Sequence, residues 1–441
     1  MTSCRCSRSG RAEGCRASSD SSRDCNTRCR VTAQRGHTIC RGCFGDSLEV
    51  VLNLGDLPIA NELVQNQNIH AEEFPLQLSI CKQCKLGQIG NVVSADRLFK
   101  DYRYLSSISR TFIDHAKDFV KSTIEKYQIT KSDWILEIAS NDGYLLSNFV
   151  QQGFDCVGIE PSENVSKIAR DKGIPTITDY FSENLANELI KQKGYPRLVI
   201  ANNVMAHVPN LEDFTKALRV VAGESTVISI ENPSLDNIFS NLQFDSIYHE
   251  HFSYLSATSM RNLLSRYDLQ LQSVEKVNTH GGSLRYWISR DCGESSDFQL
   301  KMHLIKEHEI GFLEPSNWMH VSSKIREISA KFRDFVDGVS QRGEIIWGFG
   351  AAAKASTILN YSKVNRSQIV AIADSSPEKQ NRYMPNTGIP IVSPQRLYDA
   401  KPDHVIIFPW NIVEEISQQI FEGCGHNVKL WKLIPELTEI G

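Results

Sequence analysis

Residues 134–153, WILEIASNDGYLLSNFVQQG, decide the fold of this chain. An apolar strand that carries Glu137 leads into a small polar turn with Asn141, Asp142 and Gly143, and a helix follows the turn. The same pattern recurs in FDCVGIEPSENVSKIARDKG, and further apolar strands lie in RLVIANNVMAHVPN and STVISIENPS. Strands that alternate with helices predict an α/β domain with a parallel, doubly wound sheet.

Polar side chains follow these strands at their carboxyl ends, where doubly wound sheets bind ligands. Glu160 ends the second strand, 23 residues after Glu137, and its carboxylate can accept hydrogen bonds from both hydroxyls of a ribose. The turn lacks the GxGxxG motif of dinucleotide sites, while its glycine would let the backbone approach a ligand. These features favour S-adenosylmethionine as the cofactor; the alternative is an ordinary α/β domain with capping Asn and Asp side chains. The predicted cofactor-binding residues are Glu137, Asn141, Asp142, Gly143, Glu160, Asn202 and Asn203.

Two cysteine pairs flank the apolar segment VVLNLGDLPIANEL. They are Cys40-Arg-Gly-Cys43 and Cys81-Lys-Gln-Cys84, and each CxxC pair offers two thiolates from one tight turn, as in tetrahedral zinc sites. Disulfides are the alternative, which we disfavour because no export signal is recognisable. Four thiolates leave no position for water, so the predicted Zn²⁺ is structural. His37 is a substitute candidate for one ligand.

The composition is that of an ordinary globular protein, with 441 residues of which 41% are hydrophobic and 23% charged. The net charge of −4 argues against a general nucleic-acid or membrane binder, and no apolar run approaches the roughly 20 residues of a membrane span. Residues 1–38 are rich in Arg, Ser and Cys and almost lack aliphatic side chains, so we predict a disordered tail there. We expect a cytoplasmic monomer with neither a nucleic-acid nor a membrane partner.

The segment FDSIYHEHFSYLS, residues 244–256, combines acids, histidines and tyrosines with apolar residues. Tyr248, His249, Glu250 and His251 stand in an unbroken row. Buried ionisable groups are costly unless they are paired or used in a reaction, so this row is the first candidate for catalytic residues. The alternative is a hydrogen-bonded structural cluster.

The last third of the chain is predicted to form a second α/β unit. EIIWGFGAAAKAS is a strand, a Gly-rich turn and a helix, in which Gly348, Gly350 and Lys354 place backbone amides and an ammonium group where a phosphate could bind. IVAIADSSPEKQ and HVIIFPW add strands, and the first of these ends in Asp374. A lone GxG also suggests a dinucleotide oxidoreductase.

The motifs of this chain resemble those of the zinc-containing sugar C-methyltransferases of antibiotic deoxysugar pathways, which act on nucleotide-linked 4-keto sugars. The resemblance covers about residues 39–438. It rests on long segments: CRGC, LNLGDLPIANEL, FPLQLSICKQCKLGQI, YRYLSSISRTFIDHA, EIASNDGYLL, GIEPSENV, ANNVMAHVPN, ENPSLDNIFSNLQFDSIYHEHFSYLS, THGGSLRYW, WGFGAAAKASTILNY and VIIFPWN. Phe44-Gly45 departs from the family, which often has Gly directly after the second Cys, and the N-terminal tail is a second departure.

The resemblance implies a reaction at a carbon next to a ketone, which must lose a proton before it can attack a methyl group. His251 is then the candidate base, because imidazole has an unperturbed pKa of about 6.5. Tyr248 would donate its phenol to the developing oxyanion, and Glu250 would orient an imidazole or be the base itself. His249 points elsewhere if the segment is extended, since neighbouring side chains of a strand alternate.

Two more residues join the catalytic site through the same resemblance. His207 follows the fourth strand at the ligand edge, and Tyr104 lies on a segment, YRYLSS, that covers the active site in the family. Without the resemblance, His207 reads as a structural histidine and Tyr104 as a packing anchor. Two roles stay open for the serines of the same segment, substrate binding and capping of a helix; these are Ser106, Ser107 and Ser109.

In this family the C-terminal domain helps to hold the sugar nucleotide. The resemblance therefore assigns Gly350 and Lys354 to the pyrophosphate and Gly282 to the substrate, and it alone points to thymidine diphosphate. The predicted architecture is a tail at 1–38, a zinc-binding domain at 39–95, a class I methyltransferase Rossmann-like domain at 96–296 and a second Rossmann-like α/β domain at 297–441.

The sequence leaves three functions open. The leading one is an S-adenosylmethionine-dependent C-methyltransferase acting on a nucleotide-linked keto sugar. The second is an NAD-dependent oxidoreductase that uses WGFGAAAKA, against which the missing third glycine argues. The third is a non-catalytic zinc- and nucleotide-binding protein, against which the intact YHEH and GGS segments argue. Within the methyltransferases, methyl transfer to oxygen or nitrogen is a further alternative. It would need no base that removes a proton from carbon.

Overall fold

The computed structural model describes residues 39–90, 93–94, 97–98, 107, 110–290 and 297–440. The tail predicted for residues 1–38 and the candidates His37, Tyr104, Ser106 and Ser109 lie outside the described residues. Within these ranges, no helix combines the length and the apolar character needed to cross a membrane.

The secondary structure of the described residues falls into strands, helices and short 3₁₀ turns. The strands are β1 (Leu48–Pro58), β2 (Glu73–Cys81), β3 (Gly87–Ile89), β4 (Trp134–Ile138), β5 (Asp155–Ile159), β6 (Thr176–Ile177), β7 (Leu198–Asn202), β8 (Val227–Pro233), β9 (Ser253–Tyr254), β10 (Leu269–Val277), β11 (Ser283–Arg290), β12 (Ile346–Phe349), β13 (Ile372–Ala373), β14 (Ile391–Val392), β15 (His404–Ile407), β16 (Lys429–Lys432) and β17 (Thr438–Ile440). The helices are α1 (Arg110–Tyr127), α2 (Leu146–Val150), α3 (Glu163–Asp171), α4 (Glu183–Lys193), α5 (Leu211–Val221), α6 (Leu235–Ser240), α7 (Ala257–Leu264), α8 (Phe298–Ile310), α9 (Trp318–Gln341), α10 (Ala353–Ser362), α11 (Pro394–Ala400) and α12 (Val413–Cys424). The 3₁₀ turns are Met205–His207, Phe244–Ser246, Ser265–Tyr267, Thr279–Gly281, Pro315–Asn317 and Trp410–Ile412.

The central sheet is built around β4, whose five residues are all buried. Such a fully buried run, apolar except for Glu137, suits a strand that is covered on both faces by helices. In the described chain the strand order is β10-β11-β8-β7-β4-β5-β6, with β8 to β6 parallel and the β10–β11 hairpin antiparallel at one edge. The predicted doubly wound α/β domain is confirmed, and the hairpin makes its sheet mixed.

The N-terminal sheet is antiparallel, and one of its strands comes from far along the chain. Its order is β1-β2-β3-β9, in which Gly87 pairs with Tyr254 and Gln88 with Ser253. Strand β9 directly follows the YHEH segment. The sheet that carries the cysteine pairs is therefore continuous with the segment that carries the candidate catalytic residues.

The C-terminal sheet confirms the predicted second α/β unit. Its order is β14-β13-β12-β15-β16-β17, parallel except for β17. The long helix α9 packs Val321 and Phe332 into one core with Leu52 of β1 and Ile346 of β12. The burial of this shared apolar surface holds the N-terminal and C-terminal sheets together, with the YHEH segment in contact with both.

Candidate active site and metal centre

Residues 244–252, which we call the YHEH turn, fold back on themselves. A 3₁₀ turn at Phe244–Ser246 comes first, and the N–H of His251 donates to the carbonyl of Tyr248 at 3.0 Å. The turn places two side chains three residues apart on the same side, so the Tyr248 hydroxyl lies 2.8 Å from His251 Nε2 and their rings are 4.1 Å apart. The segment is not extended, and strand alternation therefore does not govern where its side chains point.

The hydrogen bonds of His251 fix its tautomer. Nδ1 lies 2.9 Å from the carbonyl oxygen of Ser246, and because a carbonyl can only accept, Nδ1 carries the proton. Nε2 is then the acceptor for the Tyr248 hydroxyl. Burial lowers the pKa of His251 well below its usual value, and the nearby His207 lowers it further. The imidazole is therefore neutral at neutral pH, with a lone pair on Nε2.

A second neutral imidazole stands beside the first. His207 Nδ1 lies 2.7 Å from the backbone carbonyl of Glu250, and its ring centroid is 4.7 Å from that of His251. Burial lowers the pKa of His207 to about 4. The predicted pair of histidines is thus brought together, with both Nδ1 atoms bonded to carbonyls of the YHEH turn.

The other two polar residues of the row contact the N-terminal sheet region. Glu250 Oε1 accepts from the backbone N–H of Asn61 at 3.2 Å, and burial raises the pKa of this carboxyl to about 7. His249 Nε2 lies 3.2 Å from the carbonyl of Phe74. Glu250 therefore contacts His207 through its backbone carbonyl, while Oε1 of its carboxylate is bonded to Asn61 and Oε2 is buried without a hydrogen-bond partner among the described residues.

The C-terminal domain contacts the start of the YHEH turn. The Lys354 ammonium donates to Ser246 Oγ at 2.9 Å and lies 4.2 Å from the centre of the Trp410 ring. Trp410 Nε1 donates to the carboxylate of Asp245 at 2.7 Å. Burial lowers the pKa of Lys354, and its charge in turn contributes to the lowered pKa of His251.

His280 is not among the predicted site residues, but the structure places it close to the charge of Lys354. Its backbone is left-handed, with φ at 54°, and its ring lies 4.8 Å from that of Phe112 on α1. Burial, and next to it the charge of Lys354, lowers the pKa of His280 to about 4. His280 belongs to the THGGS segment, of which the sequence analysis assigned only Gly282 to the site.

A buried ionic network holds the THGGS segment in place. Glu231 at the end of β8 accepts from Thr279 Oγ1 at 2.7 Å, from the Arg285 guanidinium at 2.8 Å and from His115 Nε2 at 3.1 Å. Burial opposes the charge, but these partners hold the pKa of Glu231 at about 2. Because both of its oxygens are bonded to protein groups, Glu231 supports the loop next to the site.

The cofactor candidate Glu160 lies at the carboxyl end of β5 and is 4% exposed. Its Oε2 accepts from the backbone N–H of Asn141 at 3.1 Å, and Oε1 accepts from that of Ser162 at 2.9 Å. Burial raises the pKa of the carboxyl, which these bonds oppose. The Ser162 side chain also bonds to this carboxylate, and since each carboxylate oxygen can accept two hydrogen bonds, capacity for a ribose hydroxyl remains.

Further polar atoms at this edge of the central sheet are buried without a hydrogen-bond partner among the described residues. They are Glu137 Oε2, Asp142 Oδ1, Asn202 Oδ1 and Asn203 Oδ1. Burial raises the pKa of Glu137 well above its usual value, and the charges of Asp142 and Glu160 add to the rise. Since buried polar atoms are normally paired, this group of orphaned atoms fits the placement of a polar ligand.

The glycines predicted to contact ligands are also required by packing. Gly143, Gly282 and Gly350 have φ values of 76°, 116° and 88°. A Cβ atom there would collide with Ile174, Asn237 and Pro409, respectively. A side chain at any of these positions is therefore excluded by protein neighbours alone, independently of a ligand.

The four predicted metal ligands form one cluster. Cys40 Sγ lies 3.4 Å from Cys84 Sγ, Cys43 Sγ lies 3.6 Å from Cys81 Sγ, and all four sulfur atoms are within 4.8 Å of one another. Zn–S bonds of about 2.3 Å in a tetrahedron separate sulfurs by about 3.8 Å. Burial raises the pKa of Cys81, so several thiolates at this place require a compensating cation. The geometry and the donor set fit Zn²⁺.

Three family models match successive parts of the chain. A zinc-binding domain model matches residues 40–99, a methyltransferase domain model matches 110–274, and a C-methyltransferase C-terminal domain model matches 278–435. The chain is also 29% identical over 400 residues to the C-methyltransferase NovU from Streptomyces niveus, which covers 90% of this chain and 95% of NovU. The chain is an S-adenosylmethionine-dependent C-methyltransferase with a zinc-binding domain.

Solved structures align with only part of this C-methyltransferase. The PH0226 protein from Pyrococcus horikoshii is 15% identical and covers 44% of this chain and 97% of its own, with a TM-score of 0.33. A methyltransferase from Anabaena variabilis is 14% identical and covers 39% of this chain and 83% of its own, with a TM-score of 0.32. Likenesses at this level add nothing to the assignment, which rests on the family models and on NovU.

The family-model matches confirm the predicted class I methyltransferase domain, S-adenosylmethionine as cofactor and the zinc-binding module. Class I sheets bind the cofactor at the carboxyl ends of their parallel strands, where the structure places Glu160 and the orphaned polar atoms. The individual contacts of Glu160 and its neighbours with the cofactor remain predictions.

Replacing Glu160 with alanine should weaken S-adenosylmethionine binding by roughly 5- to 150-fold, because a ribose hydroxyl would lose its acceptor at about 1–3 kcal/mol. Titration calorimetry with S-adenosylmethionine measures the change. Glu163→Ala is the matched control, since Glu163 is exposed three residues further on and pairs with Arg170. An unchanged affinity in Glu160→Ala would remove this assignment.

Proposed function

We propose that this C-methyltransferase methylates the carbon next to the ketone of a nucleotide-linked 4-keto deoxysugar, with thymidine diphosphate as the nucleotide. His251 removes a proton from that carbon, and the enolate formed is the nucleophile. The proposal places the enzyme in deoxysugar biosynthesis of the kind that serves antibiotics. It includes a monomeric state and the domain boundaries 39–95, 96–296 and 297–441.

The observation that carries the proposal is the hydrogen bonding of His251. Its Nδ1 proton is held by the Ser246 carbonyl at 2.9 Å, and its Nε2 lone pair faces the Tyr248 hydroxyl at 2.8 Å. A general base must be unprotonated and oriented before the substrate arrives, and both conditions are met here. Methyl transfer to oxygen or nitrogen would not require a base that removes a proton from carbon.

Tyr248 is suited to the second role, the stabilisation of the enolate oxygen. Its hydroxyl already donates to Nε2 of the base, so it lies next to the place where the proton leaves the carbon. Because Nε2 has one lone pair, Tyr248 would turn its O–H from Nε2 to the oxygen on which charge develops, which frees Nε2 to take up the proton. A donor in this position matters most in the transition state.

The proton and electron changes balance around His251. The C–H bond breaks, its proton moves to Nε2, and its electron pair forms the C=C bond of the enolate as the carbonyl oxygen gains charge. Bound S-adenosylmethionine supplies an electrophilic methyl group. The enolate carbon would then form the new C–C bond as the ketone is restored and the methyl–sulfur bond breaks, with that bond's electron pair left on the sulfur of the departing S-adenosylhomocysteine. His251 releases its proton to solvent or to a neighbouring base such as His207, 4.7 Å away between ring centroids.

Glu250 and His207 are the alternative bases. One oxygen of the Glu250 carboxylate is bonded to the Asn61 amide, and among the described residues no hydrogen bond joins the carboxylate to either imidazole, which weighs against it. His207 shares with His251 a neutral ring and a carbonyl-bonded Nδ1, and we assign it to substrate or proton handling next to the base. Tyr104, outside the described residues, stays a catalytic candidate through the family resemblance.

The substrate's pyrophosphate is assigned to the C-terminal domain. Lys354 supports this, because its ammonium group stands among Asp245, Ser246 and Trp410 at the boundary between the C-terminal domain and the YHEH turn. Gly350 lies in the loop between β12 and α10, and Gly282 directly follows the 3₁₀ turn Thr279–Gly281. A cation at this position can bind an anionic substrate and at the same time lower the pKa of His251.

Replacing Lys354 with methionine should move the acid limb of the kcat/KM profile to higher pH. The Lys354 charge opposes protonation of His251, so its removal raises the pKa of His251 toward the usual value, and a base is lost once it is protonated. Rates measured from roughly pH 5 to 8 reveal the shift. Lys379→Met is the control, because Lys379 lies after β13 and contacts the Gly-rich loop at the carbonyl of Ala351. An unmoved limb would separate Lys354 from the base, and an unchanged KM would separate it from the pyrophosphate.

The direct experiment on the proposed function is product analysis. The purified enzyme is incubated with S-adenosylmethionine that carries a labelled methyl group and with a panel of thymidine diphosphate keto sugars. Mass spectrometry and NMR should find the label on the carbon next to the ketone. A label on oxygen or nitrogen, or no transfer to any sugar of the panel, would overturn the substrate assignment.

A further inference from the structure

Arg41 lies between two metal ligands, Cys40 and Cys43, yet its side chain reaches into the protein. The residue is only 8% exposed. Its guanidinium donates to the carbonyl of Ile89 at 2.8 Å and to the carbonyl of Phe252, and it lies 5.8 Å from the centre of the Phe252 ring. Arg41 therefore links the first cysteine pair to the residue that directly follows His251.

The Phe252 carbonyl is held from two directions. It also accepts from the backbone N–H of Ile89 at 3.1 Å, and the next residues along pair β9 with β3. The backbone N–H of Arg41 itself donates to the side chain of Gln88 at 2.9 Å. The end of the YHEH turn is thus fastened to the cysteine-bearing module by a closed set of hydrogen bonds.

A purely packing role would not select arginine at this place. Among the described residues no carboxylate forms an ion pair with Arg41, so its buried charge is compensated by the two carbonyl oxygens and by the adjacent sulfur of Cys40. Burying a guanidinium carries a desolvation cost that an apolar side chain of similar volume avoids. What arginine adds is a rigid fork of donors that fixes the positions of two carbonyls.

We propose that Arg41 is a positioning residue that fixes the end of the YHEH turn, and with it the imidazole of His251, to the zinc-bearing cysteine pair. The inference rests on the proposed role of His251 as the base. The opposite end of the turn is held by Lys354 and Trp410 through Ser246 and Asp245.

The consequence is a connection between the metal site and the reaction. Cys40 and Cys43 enclose Arg41 in a two-residue loop, so metal binding by both thiolates fixes the backbone from which the guanidinium extends. Displacement of a catalytic group by about 1 Å can cost on the order of 10²-fold in rate. The zinc module then orders the base as well as stabilising the fold.

The test uses the full-length holoenzyme with three substitutions at one position. Arg41→Met and Arg41→Gln remove the guanidinium, and Arg41→Lys keeps a cation. The matched control is Asn262→Ala, because Asn262 Nδ2 also ties the metal module to the methyltransferase domain, at the Cys84 carbonyl and away from the YHEH turn. Zinc content, S-adenosylmethionine affinity, kcat, KM and the ¹⁵N spectrum of the histidine side chains are measured for each.

We expect Arg41→Met and Arg41→Gln to keep zinc and cofactor affinity, to keep KM within about twofold and to lose roughly 10- to 100-fold in kcat, with partial recovery in Arg41→Lys. The His251 resonances, assigned by their absence in His251→Asn, should shift in the two variants. Asn262→Ala should change neither kcat nor those resonances.

Two kinds of result overturn the proposal. One is wild-type kcat and wild-type His251 resonances in Arg41→Met or Arg41→Gln. The other is loss of zinc or of folding in both variants, which would make Arg41 a general structural residue. The histidine spectrum needs no substrate, so a wild-type enzyme that methylates no keto sugar would refute the proposed substrate while the spectrum still decides the role of Arg41.

Discussion

Asparagine in place of His251 should lower turnover by roughly 10²- to 10⁴-fold, the usual contribution of a general base. Both ligands should still bind, because asparagine keeps a polar group near the Ser246 carbonyl and leaves the surrounding turn intact. Steady-state kinetics with a thymidine diphosphate keto sugar, together with calorimetric titration of each ligand, separates the loss of chemistry from a loss of binding.

Neighbouring substitutions show whether the effect belongs to His251 alone. Tyr248→Phe should also act mainly on kcat, since its hydroxyl matters most as charge develops on the enolate. His249→Asn should be milder, because His249 is bonded to the carbonyl of Phe74 and not to the two imidazoles. If His251→Asn retained wild-type turnover, the base would be Glu250 or His207, and Glu250→Gln and His207→Asn would identify it.

The second large effect is expected at the metal centre. Cys81→Ser should reduce the zinc content from about one ion per chain to nearly none and should unfold the N-terminal module. Structural zinc contributes roughly 10–16 kcal/mol in small zinc-binding peptides, as much as the whole stability of a typical domain. Elemental analysis and thermal unfolding measure the two outcomes.

The matched control for the metal centre is Cys156→Ser. Cys156 is also a buried free thiol, but it lies on β5, far from the cluster in sequence, and its sulfur contacts the carbonyl of Phe154. The control should keep its zinc and lose only a little stability. Full zinc content and unchanged unfolding in Cys81→Ser would show that the four cysteines are not the ligands.

Local patterns in the sequence were sufficient to predict the two α/β sheets and the metal cluster. The apolar run of β4 followed by a polar turn indicates a buried parallel strand whatever the rest of the chain does. The two CxxC pairs each set two thiolates by a single tight turn, so only the meeting of the pairs depends on the fold. Both features are determined by residues close together in the chain.

The catalytic geometry depends on contacts between distant residues and could not be predicted in this way. An extended YHEH row would point neighbouring side chains to opposite sides, whereas a turn brings Tyr248 onto His251. That turn is stabilised by Lys354 from one domain and by Arg41 from another. The hydrophobic periodicity of a segment carries no information about partners that lie so far away in the chain. Likewise, His280 enters the site only because Glu231 holds its loop from the neighbouring strand.

Hydrogen exchange at the acceptor carbon tests the central claim most directly. With a cofactor analogue that lacks the methyl group, the wild-type enzyme in deuterium oxide should replace the hydrogen next to the ketone by deuterium, as NMR of the sugar would record. His251→Asn should abolish this exchange while both ligands remain bound. Exchange at the wild-type rate in His251→Asn would contradict the account and place the base elsewhere.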